Sequence, residues 1–145
     1  LDKKLNNAWL KNIINSSDSA YSRPYYRSDF VTASYYINKK DSTLAQVMRD
    51  SAERVRQVIV EKNGVRSFSA QFYPTGYAIT IAGLNPQGQF HGQATFLYAD
   101  GRVKSKGQYE NGFYSGVWET YSPEGKLVLR EEYGPGARLL KTTPY

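Results

Sequence analysis

Few side chains in this sequence are of the kinds that do chemistry, and their spacing limits what they could do. There is one histidine, His91, and no cysteine, so a site needing two imidazoles, a thiolate or a disulfide cannot form. A metal at His91 would need carboxylates for its other ligands, and the nearest in sequence is Asp100. His91-Gly92 reads more simply as a turn position. Glu131-Glu132, and Glu119 with Glu124, are the carboxylate pairs that a two-acid hydrolytic mechanism would use. Adjacent residues of a strand point to opposite faces, so Glu131 and Glu132 cannot converge. The glycine-rich segments hold no G-x-G-x-x-G and no G-K-[ST], since Gly125-Lys126 is followed by Leu127. The sequence therefore assigns no catalytic residue, no metal ligand and no cofactor, and the chain reads as non-enzymatic.

The elements that would carry any site are mostly strands. Residues 2–15 are predicted to form a short amphipathic helix, with Leu5, Trp9 and Ile13 on one face and Leu10 and Ile14 beside them. Asn15-Ser16-Ser17-Asp18 stops it, and residues 16–28, Ser-rich and then Arg23-Pro24-Tyr25-Tyr26, are predicted to be a loop. Phe30 to Asn38 is β-branched and aromatic and reads as a strand, followed by a turn at Lys39-Lys40-Asp41. Thr43 to Arg49 reads as another strand, with a helix over 42–57 as the competing reading because Ala45, Gln46, Met48, Ala52, Glu53 and Arg54 favour one. Val55–Lys62 and Arg66–Tyr73 flank Asn63-Gly64, a strong signal for a two-residue hairpin turn. Pro74-Thr75-Gly76 turns the chain into Tyr77–Ala82. Gly83–Gly92 is predicted to be a longer loop. Gln93–Tyr98, Arg102–Tyr109, Val117–Tyr121 and Lys126–Tyr133 follow as strands, separated by turns at Asp100-Gly101, Asn111-Gly112 and Pro123-Glu124-Gly125.

Composition agrees with a folded, thin, β-rich domain. The chain has 145 residues, 40% of them hydrophobic, with 13 tyrosines. That suits half-exposed strands, where the ring packs and the hydroxyl stays wet. Lysine and arginine number 19 against 13 acidic residues, a net charge of +6. The basic residues are dispersed, and no basic run exceeds two residues, a pattern that argues against a nucleic-acid partner. No segment approaches the roughly 18 apolar residues that a membrane helix needs. The chain starts at Leu1 rather than Met, so a preceding segment is expected to have been removed. Such a segment would have carried a signal or a lipid anchor, and any membrane association is expected through it alone.

Glycine supplies the strongest organising signal. Gly64, Gly88, Gly112 and Gly136 recur every 24 residues, Gly92 with Gly116 and Gly101 with Gly125 share two further registers, and Tyr109 and Tyr133 a fourth. A fixed period in this range marks a repeat architecture of stacked supersecondary units. The two clearest copies span 88–112 and 112–136, with a weaker one at 64–83. The run Gly107-Gln108-Tyr109-Glu110-Asn111-Gly112-Phe113-Tyr114-Ser115-Gly116-Val117-Trp118 resembles the MORN repeat, and Trp118 and Tyr121 match its bacterial variant. Tyr73 to Gly76, Tyr98 to Gly101 and Tyr121 to Gly125 resemble its recurring tyrosine followed by a glycine-ended turn. The resemblance covers about residues 57–136 and none of 1–56. It implies an elongated antiparallel sheet of stacked hairpins. It also implies a bacterial protein that is commonly exported or lipid-anchored, in some members labelled antitoxin-like.

The expected fold is one mainly β domain, an elongated antiparallel meander of about nine strands with one N-terminal helix that covers a face or caps an end. Within it, 1–28 form helix and loop, 29–56 leading strands, 57–136 the hairpin repeats and 137–145 a C-terminal tail. The expected function is binding of a protein or cell-envelope component, in the periplasm or at the cell surface. An antitoxin-like, cytoplasmic protein that binds a toxin is the alternative. The aromatic side chains are expected either to form cross-strand ladders that hold a thin sheet together or to line one concave aromatic and basic groove for a partner, made of Tyr98, Tyr109, Trp118, Tyr121 and Tyr133 with Arg102, Lys104, Lys106 and Arg130. Homo-oligomerisation through unpaired edge strands is a further expectation.

Overall fold

The computed structural model describes residues 8–27 and 30–145. One short helix precedes an eleven-stranded antiparallel sheet whose spatial order follows the chain order throughout. The elements are α1 (Ala8–Ser16), β1 (Ser19–Arg27), β2 (Phe30–Asn38), β3 (Thr43–Arg49), β4 (Val55–Lys62), β5 (Val65–Phe72), β6 (Ala78–Leu84), β7 (Phe90–Leu97), β8 (Val103–Glu110), β9 (Phe113–Tyr121), β10 (Leu127–Gly134) and β11 (Arg138–Pro144). The mainly β meander is thus as expected, and 43–49 is strand rather than helix. Residues 2–7 of the expected helix lie outside the described residues.

Three expectations need correction. Residues 19–27 are not loop but the edge strand β1, in which Pro24 is tolerated because an edge strand pairs on one side only. The predicted loop at 83–92 shrinks to the turn between Leu84 and Phe90. Residues 138–144 are not tail but β11, paired along β10. The strand count is eleven rather than nine.

Turn chemistry explains the glycine registers. Five turns share one hydrogen-bond pattern: Asp50–Arg54, Tyr73–Tyr77, Asn85–Gln89, Tyr98–Arg102 and Ser122–Lys126. In each, the first N–H donates to the fifth carbonyl and the fourth N–H donates to the first carbonyl. That fourth residue takes a left-handed conformation, filled by Gly76, Gly88, Gly101 and Gly125 but by Glu53 (φ 62°) in the first turn. On the rim that Asn85–Gln89 shares, opposite the other four turns, Asn63-Gly64 and Asn111-Gly112 close two-residue hairpins with positive φ at both positions.

The register joins the strands into continuous rows. One row runs Ser22, Ser34, Val47, Val58, Ala70, Ile81, Thr95, Lys106, Glu119, Arg130, Thr143, one residue from every strand. In its middle the row is apolar, and α1 lies there. Leu10, 2% exposed, packs with Val47, Val58, Ala70 and Phe72. Trp9 meets Phe68 edge-on at 5.0 Å. The helix thus covers part of one face, here called the helix face. Its end is tied down by Ser17 Oγ donating to the Ile14 carbonyl at 2.7 Å and Asn38 Nδ2 donating to the Ser16 carbonyl at 3.1 Å. The other, open face carries two separate clusters. Ala33, Tyr35 and Met48 gather on the leading strands, and Ala82, Ala94 and Trp118 on the repeats.

Buried polar groups are paired. Asp50 accepts from the backbone N–H groups of Ala52 and Arg54 at 3.0 Å each, and from Arg54 Nε at 2.9 Å. Burial alone would push its carboxyl up, but these hydrogen bonds and the Arg54 charge outweigh it and hold the group below the usual carboxylate range.

Candidate functional site

The nine residues expected to line one groove are divided between the two faces. Tyr109, Trp118 and Tyr133 stand on the open face, where they form an aromatic layer with Phe90, Phe96 and Tyr114. Trp118 is its centre, 4% exposed, with Tyr114, Tyr109 and Phe96 ring centres at 4.5, 5.1 and 6.2 Å. Its indole lies on Gly107, where any Cβ would collide with the ring, and Trp118 Nε1 donates to the Gln108 carbonyl at 2.9 Å. Burial, with Tyr114 beside it, pushes the Tyr109 hydroxyl up to about 12. Burial, with the Glu131 carboxylate nearby, also raises Tyr133. The pairs Phe90–Tyr109 and Tyr114–Tyr133, each at 5.1 Å, are the same cross-strand contact one repeat apart. These rings hold the thin sheet together.

Lys104, Lys106 and Tyr121 gather on the helix face with Tyr98 at the strand end. Lys104 Nζ stands 5.8 Å from the centre of the Tyr98 ring and Lys106 Nζ 5.7 Å from that of Tyr121. The Tyr98 hydroxyl donates to the Tyr121 carbonyl at 2.8 Å, and the Tyr121 hydroxyl to Glu119 Oε1 at 3.3 Å. Arg130 shares this face as the register partner of Glu119. Arg102 belongs to the turn, donating to the Pro123 carbonyl at 3.0 Å beside Asp100. Counting alternate residues within one strand separates Trp118 from Tyr121, and the cross-strand register completes the division.

Beyond the reach of α1, the helix face holds a shallow groove of about 390 Å³ between β7, β8 and β9. Gln93, Thr95, Lys106, Gln108, Val117 and Glu119 line it. Gln93 faces Gln108 and Thr95 faces Lys106 across the strands. Lys106 and Glu119 are register partners, yet the ion pairs among the described residues are only those of Asp50 with Arg54 and Arg56 and of Asp100 with Arg102. The groove thus offers an ammonium group, a carboxylate and two carboxamides to a ligand. Of its lining, the sequence reading named Lys106 alone as a binding residue and Glu119 only as one of a carboxylate pair. The alternation of Lys104, Lys106 and Gln108 along β8 was the available signal.

The other chemistry-bearing residues are structural. His91 is a strand residue of β7 rather than a turn position, and its Nδ1 accepts the Asn111 N–H at 3.1 Å. Glu131 pairs with Trp118 and Glu132 with Val117, so the two carboxylates point to opposite faces. No group of three or more His, Cys, Asp or Glu side chains gathers among the described residues. No helix among them is long and apolar enough to cross a membrane.

The chain matches no family model and no curated protein. Among solved structures it is similar to part of accessory secretory protein 1,2 and 3 of Streptococcus pneumoniae, at 19% identity and TM-score 0.39 over 79% of this chain. It is also similar to part of TarM, at 10% identity and TM-score 0.41 over 74% of this chain. A third match is to a variant of S. aureus TarM in complex with Fondaparinux, alpha-GlcNAc-glycerol and UDP, at 11% identity and TM-score 0.31 over 96% of this chain. The chain spans 19%, 24% and 22% of the length of these chains.

Proposed function

We propose that this chain is a non-enzymatic binding module, and that its working surface is the helix face of β7 to β10. The carrying observation is the single row across eleven strands, which changes from Val47, Val58, Ala70 and Ile81 beneath and beside the helix to Thr95, Lys106, Glu119 and Arg130 beyond it. The polar part of that row borders a groove whose charged groups have no ion-pair partner in the sheet. Charged and carboxamide side chains presented together on a sheet suit recognition of a partner protein or a cell-envelope component. The resemblance of the repeats to bacterial MORN variants supports an exported location for such a module.

The test is capture of a partner from envelope and lysate fractions of the source cell by three proteins. These are the wild type, a groove variant (Gln93→Ala, Lys106→Glu, Gln108→Ala) and an open-face variant (Thr120→Glu), each checked for folding by circular dichroism. The expected result is one partner retained by the wild type and the open-face variant and lost by the groove variant. Retention by all three, or loss from both variants alike, refutes the assignment of the surface.

A further inference from the structure

The sequence contains two Asn-Gly pairs, Asn63-Gly64 and Asn111-Gly112, and both close the same kind of turn with both residues at positive φ. Both asparagines are exposed, so neither conformation nor accessibility separates them. Hydrogen bonding does. At the second turn, Asn111 Oδ1 accepts from Asn85 Nδ2 at 3.1 Å and Asn111 N–H donates to His91 Nδ1 at 3.1 Å. The Gly112 N–H donates to the Phe90 carbonyl at 2.9 Å. Asn85 is itself buried and fixed, its Oδ1 accepting from the Gln87 and Gln89 N–H groups. At the first turn, Asn63 N–H donates to the Ser42 carbonyl at 2.8 Å, but among the described residues nothing accepts the Gly64 N–H and nothing holds the Asn63 carboxamide. A Cβ built at Gly64 would meet no atom within 4 Å, so the space beside the Gly64 Cα is open.

We infer that Asn63 is a site of spontaneous covalent modification, deamidation through a cyclic imide, and that Asn111 is protected from it. The Gly64 backbone nitrogen attacks Asn63 Cγ and forms the ring C–N bond. The Cγ–Nδ2 bond breaks, and ammonia leaves with the proton that the Gly64 nitrogen gives up. Water then opens the imide at one carbonyl or the other, leaving aspartate or isoaspartate at position 63. No oxidant or cofactor enters. Glycine at the attacking position permits the approach because it has no side chain. The same reaction at Asn111 requires the Gly112 nitrogen to leave the Phe90 carbonyl and the carboxamide to leave Asn85. Conversion adds one negative charge to a rim that carries Lys62 and Arg66 beside the turn. The aspartate product keeps a turn-forming Asp-Gly pair. The isoaspartate product inserts a methylene into the backbone of the β4–β5 hairpin.

The experiment is incubation of the folded wild-type chain at mildly alkaline pH. Digestion follows, with peptide mass spectrometry by a fragmentation method that separates aspartate from isoaspartate. The folded chain is expected to convert residue 63 about tenfold or more faster than residue 111, since several hydrogen bonds must open at the latter. In urea the two positions are expected to convert at similar rates, because both are Asn-Gly and only the fold distinguishes them. An Asn85→Ala variant, which removes the carboxamide that holds Asn111 Oδ1, is expected to speed conversion at residue 111 about threefold to tenfold. Equal rates in the folded chain, or a gap that persists in urea, overturns the inference.

Discussion

Replacing Gly107 by alanine tests whether the aromatic layer depends on a bare backbone beneath Trp118. Gly107 lies inside β8 and has no left-handed conformation to protect, so backbone entropy alone predicts a gain of about 0.5–1 kcal/mol. Steric fit predicts the opposite. The new methyl group would occupy the position of the Trp118 ring. Overpacking of this kind costs about 1–3 kcal/mol. Tilting the indole away also breaks its hydrogen bond to the Gln108 carbonyl, for about 1 kcal/mol more. The net expectation is a loss of about 1.5–3 kcal/mol. Trp118→Ala alone is expected to cost about 3–5 kcal/mol. In that background Gly107→Ala meets no ring, and the backbone gain of about 0.5–1 kcal/mol should appear unopposed. Urea unfolding of the four proteins, followed by far-ultraviolet circular dichroism so that the lost tryptophan does not bias the signal, gives the coupling. Additivity of the two substitutions within about 0.5 kcal/mol would falsify the contact as the reason for glycine here.

Other consequences can be measured on the same footing. Glu53 occupies the left-handed position that glycine takes in four sister turns, so Glu53→Gly should stabilise the chain by about 0.5–1 kcal/mol, read as a higher urea midpoint. Asp50→Asn keeps the shape but removes the charge that draws Arg54 and Arg56, and should cost about 2 kcal/mol. Because the folded-state carboxyl of Asp50 is depressed, its contribution is present above the unfolded value of 3.8 and is lost as pH falls through the folded value. The acid unfolding curve of Asp50→Asn should therefore lack that component. Tyr109 has the reverse linkage: its raised hydroxyl contributes stability that is complete below the unfolded value of 10.0 and is lost as pH rises towards about 12. Tyrosinate absorbance should show a late-titrating group in wild type that Tyr109→Phe removes.

Much of this fold was legible because turns are local chemistry. Asn-Gly pairs and glycines at a fixed offset force the chain to reverse, and these placed the hairpins from residue 55 onward. Edge strands were missed for the converse reason. β1 carries Pro24 and two serines, and β11 has an exposed residue at nearly every position. Neither shows the alternation that burial on one face writes into a sequence. Gly83 and Gly92 were read as loop because glycine usually signals one. Gly83 instead lies within β6, where the His91 carbonyl takes the place a Cβ would need, and Gly92 (φ 84°) sits at a local irregularity of β7. The groove was half legible. The sequence supplied the right kinds of residue, but which of them share a face depends on cross-strand register, and nearly every strand pair holds an irregularity that shifts it.

Because the sheet follows chain order, each strand pairs only with the strands that precede and follow it. Tension applied between α1 and the end of β11 would therefore pull across the strands, along the direction of their backbone hydrogen bonds. Ladders loaded this way open one at a time, like a zipper, instead of shearing together. The rim bonds that link turns about one repeat apart, Tyr73 to Leu97 and Tyr98 to Tyr121, would each have to break before the next hairpin could leave. Extension would thus proceed in steps of about one hairpin at low force, and relaxation would rebuild the sheet from whichever hairpins remained.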